Sequence, residues 1–508
     1  MTCDIPSQQL SSQQEVLVPD DGVGAADSRT PPRTLGALRV VVTSGWVSGV
    51  ASLQLASIDT LRSCREVSDF RLKVARRTPT SVYQHKFARG GGGVVGSSRV
   101  SLPRVVRLLY DRPELDLKPG WALPQELVGL VLGTEFGGDI KGVHWPPGLE
   151  SVVFWRRFNQ PITGVVWPRS LKKLAFGCNF NKPVAGVEWP PNLEVLSFGS
   201  WFDQTLDGVD FPDSLTTLDV GRDFNQAIDR IVWPKRLARL TFGFFFNQSI
   251  EENLPSTLRY LCLGDCYNLP IENVIFPRGL LEISFGRGFN QSVEGVNWPP
   301  ALRRVKFGGM FNRDIAGAGF PEEMQDLELG FSFNQPFDNV VLPDGLKSIT
   351  FGEEFCRGVE AVVWPQGLSE ITFGVQFDTP VAAVAWPRDL RRLKFGESFN
   401  RPLVGVDLPD GLEEVFFGKA FNQEVEQVHW PNSLRVMVFG ESFNQPITRV
   451  TWPDSLKTLR LGCDFDREMK AGVVFPPGLE RVEFVDSYRH VESQDEDSGS
   501  PSVSSGDG

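Results

Sequence analysis

The residues of this chain best suited to chemistry by number and regularity are eleven asparagines that each follow an aromatic ring. Among them are Asn159, Asn181, Asn225, Asn247, Asn290, Asn312, Asn334, Asn400, Asn422 and Asn444, and Asp203, Asp378 and Asp466 fill three further places of the same series. A carboxamide can steady a developing oxyanion and a carboxylate can move a proton. Catalysis needs one constellation, however, and a residue repeated this often is not one. The capability that ionised Asp shares with Asn is a side-chain oxygen that accepts hydrogen bonds. The series therefore predicts a structural ladder whose oxygens accept backbone N–H groups at a tight turn.

Other reactive residues are sparser. Glu353, Glu397 and Glu441 recur every 44 residues with Val375 and Lys419 between them. Stacked in a repeat, they would lie about 10 Å apart, just beyond the separation for two-carboxylate hydrolysis. A β-solenoid enzyme acting on polysaccharide is the enzymatic alternative such acids would serve; solvated edge charges explain them more simply. The histidines, His85, His144, His429 and His490, are far apart, and Cys262 with Cys266 has no second pair to complete a zinc site. The Gly-rich stretch Arg89 to Arg99 lacks the Gly-Lys-Ser/Thr ending of a phosphate loop and reads as a linker. We expect no cofactor, no metal and no enzymatic activity.

The elements that must carry these residues follow from a proline ladder. Prolines at 124, 146, 168 and onward to 476 span 352 residues in sixteen steps of 22, one step of 21 at Pro255 being offset by one of 23 at Pro476. If the residue before each proline is position 1, that position is Trp nine times and otherwise Phe or Leu. Position 5 is Leu in all units but one (Met324); in the sixteen complete units position 11 is Gly in all but one (Trp155), and position 14 is Phe in all but one (Tyr267). The asparagine series is position 15. With positions 8, 10, 18 and 21 apolar as well, the pattern is neither one helix nor one strand. Positions 8 and 10 alternate as a short strand does, and the proline excludes helix from the arc that follows position 1. Each unit is thus one coil of a solenoid of about sixteen coils, with a parallel β-sheet on one face and an extended or irregular return. The near-constant glycine serves positive φ or close approach of neighbouring coils.

Composition limits the partners. The net charge of -12 argues against nucleic acid, which needs a basic surface. Seven cysteines without regular spacing fit a reducing compartment, the cytoplasm or nucleus, better than a disulfide scaffold. The first residues lack the basic start and apolar run of a signal peptide, and no segment approaches the roughly 20 apolar residues of a membrane span.

Leu171 to Val184, LKKLAFGCNFNKPV, is similar to a leucine-rich repeat in its first three apolar positions, although its Asn comes two residues later than that signature places it. The sequence FNQPI, at Phe158 to Ile162 and Phe443 to Ile447, resembles the FNIP repeat, a leucine-rich-repeat-like variant. The resemblance covers about 360 of the 508 residues. It implies a leucine-rich-repeat-like solenoid, and proteins of that family often carry an N-terminal F-box that docks a ubiquitin-ligase adaptor. Residues 55–75 resemble the second half of a degenerate F-box, with Leu61, Cys64, Val67 and Phe70 at helical spacing; a plain capping helix is the alternative.

The expected organisation is a disordered segment 1–35, a small, partly helical region 36–118, repeats over 119–485, and an acidic, disordered tail 486–508 in which Ser493 and Ser498 could be phosphorylated. In a solenoid the repeated positions build the core, so recognition falls to what varies on the strand face, positions 6, 7 and 9. Lys172, Lys173, Arg303, Arg304, Lys306, Arg391, Arg392, Lys394, Glu413 and Glu414 are the candidate partner-binding residues there, with inter-coil salt bridges as the competing use of the same charges. The expected function is a non-enzymatic protein-interaction scaffold, in one form the substrate-recognition subunit of a ubiquitin ligase; a structural rod without a specific partner is a further alternative.

Overall fold

The computed structural model describes residues 123–484 apart from 124, 252 and 466–471, together with four strands nearer the N-terminus: β1 (Arg39–Val42), β2 (Leu53–Leu55), β3 (Asp69–Val74) and β4 (Val105–Tyr110). The terminal segments 1–35 and 486–508, the Gly-rich stretch and most of 36–118 lie outside the described residues. β1 pairs antiparallel with β2 and β3, β3 pairs parallel with β4, and β4 pairs parallel with β5 (Leu127–Leu132). Helix was expected through 55–75, whereas Leu55 and Asp69–Val74 are strand, joined to the sheet by backbone pairing that side-chain periodicity does not reveal. Residues 56–68 of that segment are outside the described set.

The described part of the chain divides into two compact units, the boundary falling between Phe333 and Asn334. Both are parallel β-solenoids built from the 22-residue coil, and among the described residues there is no helix. Three corners shape each coil. In the coil beginning at Trp167, the N–H of Leu171 donates to the carbonyl of Pro168, that of Phe180 to Gly177 and that of Val187 to Val184, each an i to i+3 turn. Proline suits the first corner because its fixed φ is the one a turn needs.

Between the first two corners lies a three-residue strand, Lys173–Ala175 in this coil, whose register with the next is an unshifted 22: Lys173 opposite Val195, Leu174 opposite Leu196, Ala175 opposite Ser197. The same register holds in the second unit, where Arg392 stands opposite Glu414 and Lys394 opposite Phe416. The strand therefore spans positions 7 to 9, with only position 8 pointing inward, while the Phe of position 10 turns into the core just past it.

Identical registers put like residues on like, so the core is a set of columns. Leu171, Leu193 and Leu215 at position 5, and Phe158, Phe180 and Phe202 at position 14, are fully buried. Within a coil Phe176 stacks on Phe180 at 4.1 Å, and between coils Phe158 stacks on Phe180 at 6.0 Å. Burying each such ring contributes about 1.5–3 kcal/mol, which a lone coil could not collect. Ring spacing between coils is 5.4 Å for Phe395 and Phe417 at position 10 but 6.0 Å for Phe399 and Phe421 at position 14, against about 4.8 Å between strands. The first unit widens likewise, from 5.5 Å for Phe154 and Phe176 to 6.0 Å for Phe158 and Phe180, so coils splay away from the sheet and the strand side is the concave side of each unit.

Candidate interaction surface

The asparagine series lies at the second corner, and its side chains bridge coils. In the first unit Asn159 Oδ1 accepts the N–H of Asn181 at 3.0 Å, Asn181 Oδ1 that of Asp203 at 3.1 Å, and Asp203 Oδ1 that of Asn225 at 2.9 Å. The series continues through Asn247, Asn268, Asn290 and Asn312. In the second unit Asn334 accepts from Cys356, Asp378 from Asn400, Asn400 from Asn422 and Asn422 from Asn444. Asp can stand for Asn because the bond that repeats from rung to rung uses the acceptor oxygen.

A second rail escaped the sequence reading. Residue 16 of the coil, most often Gln or Arg, reaches back to the position-15 residue of the previous coil: Gln226 Nε2 donates to Asp203 Oδ1 at 2.8 Å, Gln445 Nε2 to Asn422 Oδ1 at 2.9 Å, and Arg401 pairs with the Asp378 carboxylate at 2.8 Å. Gln after Asn was a visible signal, since FNQ recurs throughout. These bonds use the polar atoms of positions 15 and 16 for backbone support.

The glycine of position 11 is there for close approach. A Cβ on Gly396 would sit 1.6 Å from the carbonyl oxygen of Gly374, and one on Gly199 1.7 Å from that of Gly177. Positive φ belongs mainly to another glycine, near the third corner, as at Gly405 with φ of 81°.

On the strand face the candidate charges meet one another. Lys172 pairs with Glu150 at 3.1 Å, Arg304 with Asp326 at 3.0 Å and Lys306 with Glu328 in the first unit. In the second, Arg391 pairs with Glu413 at 2.6 Å, and Arg392 lies between Glu414 at 2.7 Å and Glu370 at 3.5 Å. All are substantially exposed, so each is worth little on its own. Lys173, Arg303 and Lys394 have no ion pair among the described residues. Arg239 lies 4.0 Å from the Tyr260 ring centroid on the same face.

Two of the three recurring glutamates are engaged by the neighbouring coil. Glu397 Oε2 accepts the N–H of Lys419 at 3.0 Å, and Glu441 lies 3.7 Å from Lys419 Nζ. Burial pushes the Asp219 carboxyl above its ordinary range, although it accepts the Gly221 N–H at 3.0 Å, and burial likewise raises the Cys262 thiol, holding it protonated. Among the described residues no group of three or more His, Cys, Asp or Glu could hold a metal, and no helix is long and apolar enough to cross a membrane. One cleft of about 460 Å³ is lined by polar residues of positions 4 and 6, such as Ser170, Lys172, Glu194 and Arg236. Another of about 350 Å³ lies between positions 9 and 12 of four successive coils, with Asp265, Arg287, Gly309 and Phe331 at its rim.

Comparison with known proteins agrees with this geometry. The FNIP repeat profile matches residues 158–201, 202–245, 246–288, 311–354, 333–376 and 421–464. The crystal structure of CroV588, described as a novel circular LRR protein, is 31% identical with a TM-score of 0.68, over 82% of this chain and 69% of that one. The Drosophila Toll–Spatzle complex matches at 12% identity and a TM-score of 0.55, over 83% of this chain and 61% of that one, a likeness of fold alone. No curated protein matches the chain.

Proposed function

The chain belongs to the FNIP repeat family, and from that premise we propose that it is a non-enzymatic scaffold that holds a protein partner on the concave strand face of its coils. The observation that carries this reading is the division of roles within each coil. Position 8 is buried in each coil from Leu130 to Leu459, whereas positions 7 and 9 face outward and change from coil to coil, as Ala175, Ser197, Asp219, Thr241 and Cys262 show at position 9. A concave sheet with a non-repeating outer face is the binding surface of solenoid proteins. The fold-similar Toll is known in complex with Spatzle. Charges left over from the inter-coil pairs, Lys173, Arg303 and Lys394, give the partner acidic groups to match.

Reversing Arg391, Arg392 and Lys394 together tests the reading. Loss of the captured partners from a variant with unchanged thermal stability supports it; unchanged capture by a folded variant removes it. The finer form makes this protein the substrate-recognition subunit of a ubiquitin ligase in the cytoplasm or nucleus, with residues 55–75 docking the adaptor. Five free cysteines among the described residues suit a reducing compartment. Affinity capture with and without residues 36–118 decides the finer form: an adaptor recovered only with that segment supports it, and recovery with neither sinks it.

A further inference from the structure

The first unit carries exposed large apolar side chains along one edge, at positions 11 to 13 of five of its coils, with coils bearing small or charged residues there in between. They are Trp155 at 46% exposure, Trp201 at 45%, Phe244 at 40%, Phe245 at 42%, Met310 at 55% and Phe331 at 48%. Arg222 lies 5.5 and 5.4 Å from the ring centroids of Phe244 and Phe245. The corresponding edge of the second unit is acidic instead, with Glu353, Glu354, Glu397 and Glu441. Backbone bonds fix the aromatic edge: the N–H of Trp201 donates to Cys178, that of Phe245 to Arg222 and that of Met310 to Arg287. A rigid apolar row rich in Trp, Phe and Arg has the composition of an interface centre.

We infer that this edge pairs with the same edge of a second copy of the chain, antiparallel, about a two-fold axis at the coil of Phe244 and Phe245. The evidence is that the row is complementary to its own reversal. About that axis the two Phe244–Phe245 pairs meet each other. One coil out on either side, Arg222 faces Asp265 of the other copy. Two coils out, Trp201 faces Arg287 and Gly288, beside the 350 Å³ cleft whose rim is formed by Arg287, Gly309 and Phe331. A side chain at Gly288 would strike the carbonyl oxygen of Asp265 at 2.6 Å, so the space opposite Trp201 is kept open by backbone packing. Three coils out, Met310 faces the small side chains Cys178 and Asn179, and four coils out Trp155 faces Phe331. Each large group thus meets a ring, a guanidinium or a gap, and Arg222 meets an opposite charge, while Asp223 keeps its partner Arg222 of the same chain at 4.0 Å. An isologous interface requires this self-match.

Area and charge agree. Six side chains about half exposed, at roughly 200 Å² each when fully exposed, leave on the order of 550 Å² per copy and 1,100 Å² per pair. Arg222, Arg287 and the flanking residues bring the total to about the 1,200 Å² at which stable interfaces begin. The chain as a whole is acidic, and copies meeting through the glutamate edge would repel. The aromatic edge, with Arg156, Arg157, Arg222 and Arg287 against Glu135, Asp223 and Asp265, is free of that excess. This inference goes beyond the strand-face reading and does not depend on it.

Sedimentation velocity of the full chain over about 0.1–100 μM tests it. The expected result is a dimer that Phe244→Glu with Phe245→Glu converts to monomer. Arg222→Asp and Asp265→Arg should each weaken the dimer at least tenfold, because each puts like charges together twice, and the double variant Arg222→Asp with Asp265→Arg should restore it. Circular dichroism confirms that each variant is folded. A monomer throughout the range, a dimer indifferent to the phenylalanine changes, or a double variant no better than the single ones overturns the inference.

Discussion

Replacing Asn422 with alanine isolates what one rung of the ladder contributes. Asn422 Oδ1 accepts the Asn444 N–H at 2.9 Å and Gln445 Nε2 at 2.9 Å. Its own N–H, donating to Asn400 Oδ1 at 2.9 Å, survives any substitution other than proline. Gln445 keeps a second acceptor in the Asn422 carbonyl at 3.1 Å, so the variant orphans one backbone N–H and weakens one amide contact. Leaving a buried donor unmade costs about 1–3 kcal/mol, and at this half-buried corner we expect about 1–2 kcal/mol. Asn422→Asp retains the acceptor, has asparagines on both neighbouring rungs, and should cost less than about 0.5 kcal/mol. Urea unfolding followed by circular dichroism measures the difference, and amide exchange at Asn444 localises it, a useful check because a repeat array can open locally. Equal destabilisation by both substitutions, or none by either, would refute the ladder as a source of stability.

Gly396→Ala should cost about 3 kcal/mol or more, because its methyl meets the Gly374 carbonyl oxygen at 1.6 Å. Gly405→Ala, with φ of 81° and open space around it, should cost only about 1 kcal/mol in the same unfolding assay. Trp298→Phe removes an indole donor bonded to the Ala318 carbonyl at 2.9 Å, whereas the Trp386 indole N–H, changed by Trp386→Phe, is buried without an acceptor among the described residues. Trp298→Phe should therefore be the more costly of the two by about 1 kcal/mol. For Asp219, burial raises the folded-state pKa above the ordinary 3.8, so the folded chain holds that proton more tightly than the unfolded chain. Its ionisation removes stability as pH rises through the folded value. Asp219→Asn should thus raise Tm at neutral pH, by an amount that shrinks as pH falls toward the ordinary carboxylate value.

The coil was legible because its determinants are local. A proline that excludes helix, a leucine before the strand and two phenylalanines after it recur in register, and nothing distant is needed to read them. The role of Gly396 was only half legible: the sequence permits positive φ or close approach, and the Gly374 carbonyl decides between them only when the coils are stacked. Pairing on the strand face depends likewise on which coil is neighbour to which, so the bridge of Arg392 to both Glu414 and Glu370 follows once the register is known. Gln226 and Gln445 escaped notice because glutamine is ordinary on a surface, and their acceptors lie one coil back. At Asp69–Val74 helical periodicity misled, since backbone pairing with Val105–Tyr110 leaves no trace in side-chain spacing.

The central claim is that repeated residues hold the shape while outward strand positions hold the partner. Placing a photo-crosslinking amino acid at Lys394, on the strand face, and separately at Val363, which is 80% exposed on the return arc of the same unit, tests it in the protein's own cells. The account predicts a discrete crosslinked protein from position 394 and none from 363. A crosslink from 363 alone, or from neither position, would contradict it.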